Sequence, residues 1–310
     1  MVFFIKTKMT GWGLSIVYMV IVIVSIMIPN LIPLLLILLP ALLIMMVKNQ
    51  QWRPWILSLS LGMLLALFSA NWLLYWIFIP FSAVEGWFLG QGFARKEVGY
   101  QIVNATLVWV AFFVALVLLF NASGLNLLSQ LTTQMVKEIQ SSSFLMALNQ
   151  SGIQGIDLTT LVATMIPSVI IVCSILITLT HVVILRIFET ARDPQSLPVL
   201  RHFKMPKRSA FLYGLVLLIM VFSPSNSDFI GQAVSTVFMV MTFLFALQAM
   251  SLLWWLFKEK TRQLPLALQI IIGLAGTFLI ITILLEIFMI IGIIDNIIDL
   301  RKRLSKSKEE

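Results

Sequence analysis

Long apolar runs, broken by short polar or basic stretches, set the rhythm of this chain. Residues 11–47 are apolar apart from a break at Pro29-Asn30, a pair of turn residues. A membrane-spanning helix takes roughly 17–25 residues, so the stretch fits two short spans better than one. KNQQWRP at 48–54 is polar and basic. Residues 55–93 repeat the arrangement with a pause near Asn71, and Arg95 and Lys96 mark a second basic loop. Residues 100–120 predict a fifth helix and 159–185 a sixth. Between them, 121–157 is the one long polar loop on the opposite side. Its Leu125, Leu128, Leu131, Met135 and Ile139 recur at three- or four-residue steps. That spacing predicts an amphipathic helix on the membrane surface or capping the bundle.

The last third follows the same logic. Segment 186–209 is rich in Arg, Lys and Pro and predicts the main cytoplasmic loop. Residues 210–223 and 229–257 predict two spans joined by SPSNSD at 223–228, and KEKTR at 258–262 is basic again. Residues 264–300 are apolar except for Glu286, Asp295 and Asp299, and the tail 301–310 is charged. Basic residues accumulate in loops that stay in the cytoplasm. Placing every basic cluster inside makes 264–300 cross twice. The expectation is an all-α polytopic bundle of about eight to ten short helices, one integral membrane domain over residues 1–310, with both termini cytoplasmic. Lys6 and Lys8 precede the first apolar run without a small-residue cleavage site after it, which predicts an uncleaved first helix.

Composition agrees with the pattern. Hydrophobic residues make up 60% of the chain and charged residues 11%, where a soluble domain has about 45–50% and about 25%. Mean hydropathy is +1.03. The net charge of +8 follows from the basic inner loops, and no nucleic-acid recognition motif accompanies it, so the expected partner surface is the lipid bilayer and not nucleic acid. Cys173 is the single cysteine, which excludes an intrachain disulfide and a thiolate metal cluster. His181 and His202 lack a carboxylate or cysteine at ligand spacing, so no metal is expected. Phosphate loops, zinc-protease helices and nucleophile elbows are missing. The chain reads as a non-enzyme without a cofactor.

A few residues stand out against the apolar background. Glu85 lies inside an apolar run, roughly 12 Å from its basic end at about 1.5 Å per residue. An ionised carboxylate at that depth costs about 2.5–3.5 kcal/mol on insertion scales. It needs a partner, water or a proton. Glu85, Asn71, Trp72 and Trp76 are the candidate lining of a ligand site. Ser58, Gly62, Ala66 and Ala70 share one helical face, as do Ser82, Gly86 and Gly90. Small residues at this spacing let helix backbones approach closely, for packing within the bundle or for docking a partner subunit. Asp299 precedes Arg303 by four residues, an interval that permits pairing along a helix, and Asp295 lies one turn earlier on the same face.

Three patches carry a family resemblance: IIGIIDNIIDLRKRL at 290–304, FALQAMSLL at 245–253 and LPVLRHFKMPKRSAF at 197–211. With them the chain resembles the YybS-like family of bacterial membrane proteins, defined by a domain of unknown function, with Gly292, Asp295, Asp299 and Arg301 in its closing motif. That resemblance implies a multi-pass protein of the bacterial cytoplasmic membrane and brings no catalytic residue. The amino-terminal half is distantly similar to the substrate-binding components of energy-coupling-factor transporters, which implies a small-molecule site and a partner membrane subunit. Two functional readings follow. One is a small-molecule-binding or transport component. The other is a non-transporting scaffold that recruits a cytoplasmic partner through 186–209 or the tail.

Overall fold

The computed structural model describes residues 11–28, 32–69, 72–95, 98–124, 126–141, 158–189, 203–222, 229–256 and 285–306. Every regular element among them is a helix. In chain order these are α1 (Gly11–Met27), α2 (Ile32–Lys48), α3 (Trp52–Ala66), α4 (Trp72–Arg95), α5 (Val98–Ala122), α6 (Leu127–Ser141), α7 (Leu158–Glu189), α8 (Arg208–Phe222), α9 (Phe229–Leu256), α10 (Leu285–Ile298) and α11 (Leu300–Lys306). Stretches within α4, α5, α7 and α9 are long and apolar enough to cross a membrane, and α1, α8 and most of α2 are shorter apolar helices. In hydrocarbon every backbone polar group must be satisfied within the segment, which is why the apolar runs fold as helices. The turns at Pro29-Asn30 and 223–228, the basic segment 258–262 and the first part of 264–300 lie outside the described residues.

The chain divides into two compact units. The first comprises residues 1–127 and 173–197. Within it α2 packs on α4, α4 on α5, and α1 on both α2 and α3. Its larger core gathers Leu14, Tyr18, Leu43, Tyr75, Phe78, Trp109 and Phe112. Both small-residue stripes are used here. Gly62 faces the ring of Tyr18, while Ser58 Oγ and Ser15 Oγ lie 2.8 Å apart between α3 and α1. Gly86 lies against Leu43 and Ile44, and a Cβ at Gly90 would come within 2.6 Å of Val47. Ser58, Gly62, Ala66, Ser82, Gly86 and Gly90 are buried, so these stripes are packing faces inside the unit; Ala70 lies outside the described residues.

The turn after α2 has a specific build. Gln50 adopts φ 56°. Its N–H donates to Val47 O, and the Gln51 N–H donates to Met46 O. This pair of bonds is a Schellman closure with glutamine in the left-handed position that glycine usually fills. Gln50 is exposed, so removing its side chain forfeits no packing. Gln50→Gly is expected to raise stability by about 0.5–1 kcal/mol, since a left-handed non-glycine residue costs about 1–2 kcal/mol and glycine's extra unfolded-state freedom offsets part of the gain. Thermal melts of the two proteins in one detergent check this.

The second unit comprises residues 128–172 and 198–310. α9 packs on α8 and α10, around Tyr213, Val216, Met241 and Phe245. Tyr213 stacks on Phe238 at 5.4 Å, and its hydroxyl lies 3.2 Å from Thr242 Oγ1. Closest of all is Gly292 of α10: a Cβ there would overlap the carbonyl oxygen of Phe245 on α9. The expected amphipathic helix is α6. Leu128, Thr132, Met135 and Val136 form its more buried stripe, and Gln130, Thr133, Gln134, Lys137 and Glu138 are exposed. Leu131 stands outside that stripe, 41% exposed.

Candidate functional site

Glu85 occupies the inner face of α4, one turn beyond Ser82, and is fully buried. Ser82 satisfies itself locally by donating to the Phe78 carbonyl. The carboxylate cannot do so, and its partner arrives from a distant part of the chain. His181 of α7, also fully buried, shares a hydrogen bond of 2.7 Å between its Nδ1 and Glu85 Oε1. The indole of Trp109 on α5 lies against the imidazole, with ring centroids 5.9 Å apart. α7 continues a polar face on this side, with Ser174 and Thr178 both fully buried like His181. These positions recur at three- and four-residue steps, so one helical face carries all three.

The satisfaction of this seam is incomplete. Glu85 Oε2, Thr178 Oγ1 and Trp109 Nε1 are buried with no hydrogen-bond partner. Most buried polar atoms in folded proteins are paired with protein or ordered water. An acceptor, a hydroxyl and a donor left open in the same bundle therefore mark room for water or a polar ligand. A groove of about 370 Å³ lies between α4 and α5, lined by Pro80, Phe81, Val84, Phe88, Asn104 and Leu107, with Val108 and Ala111, and not by Glu85, His181 or Trp109. Phe81, Glu85 and Phe88 fall one turn apart along α4, so the groove borders the face that carries the carboxylate. Val84 and Leu107 are exposed, which opens the groove to the surroundings of the unit.

The four residues singled out as a ligand site do not all meet. Trp72 is 49% and Trp76 40% exposed, on the outer side of α4 and away from Glu85. Asn71 lies outside the described residues. The spacing of His181 from Arg186, little more than a helical turn, predicts a position near the inner membrane interface. The structure buries it fully and pairs it with Glu85. A sharper signal was available, because Ser174, Thr178 and His181 form a polar stripe on an otherwise apolar helix. Glu286, which interrupts the last apolar stretch, is exposed in the first turn of α10.

The closing motif builds a second polar cluster, within the second unit. Gln248 of α9 is its centre: Nε2 donates to Asp295 Oδ2 at 2.9 Å, and Oε1 accepts from the Met205 N–H at 3.1 Å. Asn296 Nδ2 donates to Met205 O at 2.9 Å. Arg301 reaches back from α11 to Phe203 O and Ser251 Oγ, each at 3.1 Å, and lies 3.6 Å from Asp295. The three patches that carried the resemblance thus converge on one network. Gln248, Asp295 and Asn296 are fully buried, so the network pins segment 203–206 to α9 and α10.

Asp299 lies at the rim, where it takes φ 56° and separates α10 from α11. Its carboxylate meets Lys204 Nζ at 2.7 Å. The hydrogen bond from Lys204 is the main reason its carboxyl is held below the usual aspartate range, with the charges of Lys204 and Lys207 adding to it. A depressed folded-state value means the pair stabilises the fold above the unfolded value of about 3.9 and loses that contribution as pH falls through the lower folded value. The difference in melting temperature between wild type and Asp299→Asn is therefore expected to stay constant from about pH 6 to 8 and to shrink below about pH 4. Parallel melts across that range check it.

Among the described residues no three His, Cys, Asp or Glu side chains gather as metal ligands. A family model described as a predicted membrane protein, DUF2232, matches residues 16–296. No curated protein and no solved structure matches the chain. Four membrane-length apolar helices and a match over most of the sequence agree: the chain is a multi-pass membrane protein and belongs to the DUF2232 family.

Proposed function

We propose that this protein is a small-molecule-binding or transport component of the bacterial cytoplasmic membrane, with both termini inside and no catalytic activity of its own. One observation carries the reading. A fully buried carboxylate in an apolar bundle is held by a histidine through one oxygen, and its other oxygen has no partner. An intramembrane ionisable residue is expensive and marks ligand or ion pathways by default. The ring of Trp109 against the imidazole supplies apolar surface of the kind that small-molecule sites use around a few polar anchors.

The test is extraction of small molecules that co-purify with the full chain, compared between wild type and Glu85→Gln. Glutamine can accept from His181 Nδ1 or donate to it, so the variant is expected to fold. Recovery of the bound species is expected to drop at least tenfold, about 1.4 kcal/mol of lost binding. Equal recovery would remove Glu85 from the site.

A second reading draws on the exposed Lys207, Arg208, Lys302 and Arg303 in the second unit. A basic surface at this position suits recruitment of an acidic cytoplasmic partner. Neutralising the four should abolish co-purification of such a partner while membrane orientation stays unchanged, and retained recruitment would count against a scaffold.

A further inference from the structure

We infer that the groove between α4 and α5 holds an acyl chain of an anionic phospholipid whose headgroup pairs with Arg95. The inference goes beyond the small-molecule reading and does not depend on it, because Glu85 does not line the groove.

The groove itself selects hydrocarbon. Its volume of about 370 Å³ falls within the range of about 300–1,000 Å³ typical of ligand pockets. Both helices present apolar walls, and Asn104 is the one polar side chain in the lining. Val84, Leu107 and Ala111 are exposed. The groove therefore opens toward the surroundings of the unit, which for membrane helices are lipid.

One end of the groove is polar and carries a cation. Phe88 and Asn104 are the lining residues nearest the junction of α4 with α5. Along α4, Phe81, Phe88 and Arg95 are spaced by seven residues. That interval returns to nearly the same helical face, with a drift of about 20°. Along α5, Tyr100, Asn104, Leu107 and Ala111 recur at three- and four-residue steps and share a face. Arg95 and Tyr100 are both exposed. The Asn104 amide donates to Gln101 Oε1 at 3.2 Å, so these two polar side chains satisfy each other between the cation and the apolar walls.

Depth fits a single leaflet. On α4 the lining runs from Phe88 back to Pro80, which is roughly 10–22 Å from Arg95 at about 1.5 Å per residue. Half of a hydrocarbon layer is about 15 Å, and the headgroup region adds several more. With Arg95 among the headgroups, the groove lies at the depth of the chains and reaches about the middle of the bilayer.

Head and tail divide the work. Lipid tails are as apolar as the groove, so a chain entering it gains packing contacts and no hydrophobic drive. Discrimination among lipids then falls to Arg95. Its planar guanidinium matches a phosphate bidentately. A zwitterionic headgroup brings its own ammonium beside that guanidinium, and an anionic headgroup does not.

The test uses the full chain in nanodiscs of equal phosphatidylglycerol and phosphatidylcholine with identical chains. The protein is released into detergent, and native mass spectrometry counts the lipid retained. Wild type is expected to keep one phosphatidylglycerol, with a preference of about fivefold over phosphatidylcholine, the size of one arginine's attraction to an anionic headgroup. Arg95→Gln should abolish the preference. Ala111→Trp fills the groove from an exposed position and should lose both lipids. Leu118→Trp, exposed on α5 outside the lining, should behave as wild type. Equal retention of the two lipids by wild type, a preference that survives Arg95→Gln, or full retention by Ala111→Trp overturns the inference. Absence of any retained lipid overturns it too. If Ala111→Trp fails to fold, Arg95→Gln decides. None of these results bears on Glu85, whose own comparison of co-purified molecules judges the small-molecule reading.

Discussion

Gly292→Ala should destabilise the second unit by about 3 kcal/mol or more. Overpacking a core usually costs about 1–3 kcal/mol because neighbouring side chains shift aside. Here no side chain can give way. The added Cβ would overlap the Phe245 carbonyl oxygen and come within 2.7 Å of its carbonyl carbon, so α9 and α10 must separate as rigid rods. Separation would also pull Gln248 from Asp295. The loss should appear as a large drop in melting temperature and a shift toward aggregate in size-exclusion chromatography. The control is Gly214→Ala on α8, where a Cβ meets nothing within 4 Å and little change is expected. Equal behaviour of the two variants would mean that α9 and α10 are not in backbone contact.

Asp295→Ala should cost about 3–5 kcal/mol, the range for removing one partner from a buried charged set. The deletion leaves the Gln248 amide without its acceptor and Arg301, whose side chain is 12% exposed, without the carboxylate 3.6 Å away. Asp295→Asn separates these terms. It keeps an oxygen for Gln248 and loses only the charge, so it should fall between wild type and the alanine variant. Chemical denaturation in mixed micelles gives the three values. If asparagine is as costly as alanine, the charge opposite Arg301 dominates; if it is silent, the hydrogen bond does.

Much of the architecture was legible because lipid restricts the choices. Apolar runs long enough to span, separated by basic loops, admit little besides a helical bundle, and α4, α5, α7 and α9 lie where those runs lie. The small-residue stripes were legible as close-packing faces, and Gly62, Gly86 and Gly90 meet their neighbours as that spacing requires. Partners were not legible. Glu85 could be recognised as an acid in need of a partner, but periodicity within α4 contains no information about α7. Trp72 and Trp76 follow Asn71 closely in sequence, yet the 3.6-residue helical period turns them outward from the face that carries Glu85. The network around Gln248 was divided among three patches whose meeting is a tertiary fact. The two helical patches showed polar residues in apolar surroundings, and 197–211 only a basic, proline-containing segment whose backbone joins the network.

The separation of 96 positions along the chain from Glu85 to His181 also bears on how the protein is made. Ribosomes deliver α4 to the membrane well before α7 exists. During that interval the carboxylate has no imidazole to meet, and an unpaired acid is poorly tolerated in lipid. The nascent helix must then wait at the insertion machinery, or beside water, until the later segment emerges. Chains truncated between residues 95 and 158 would expose this pause, with α4 crosslinking to the translocon longer in wild type than in Glu85→Leu.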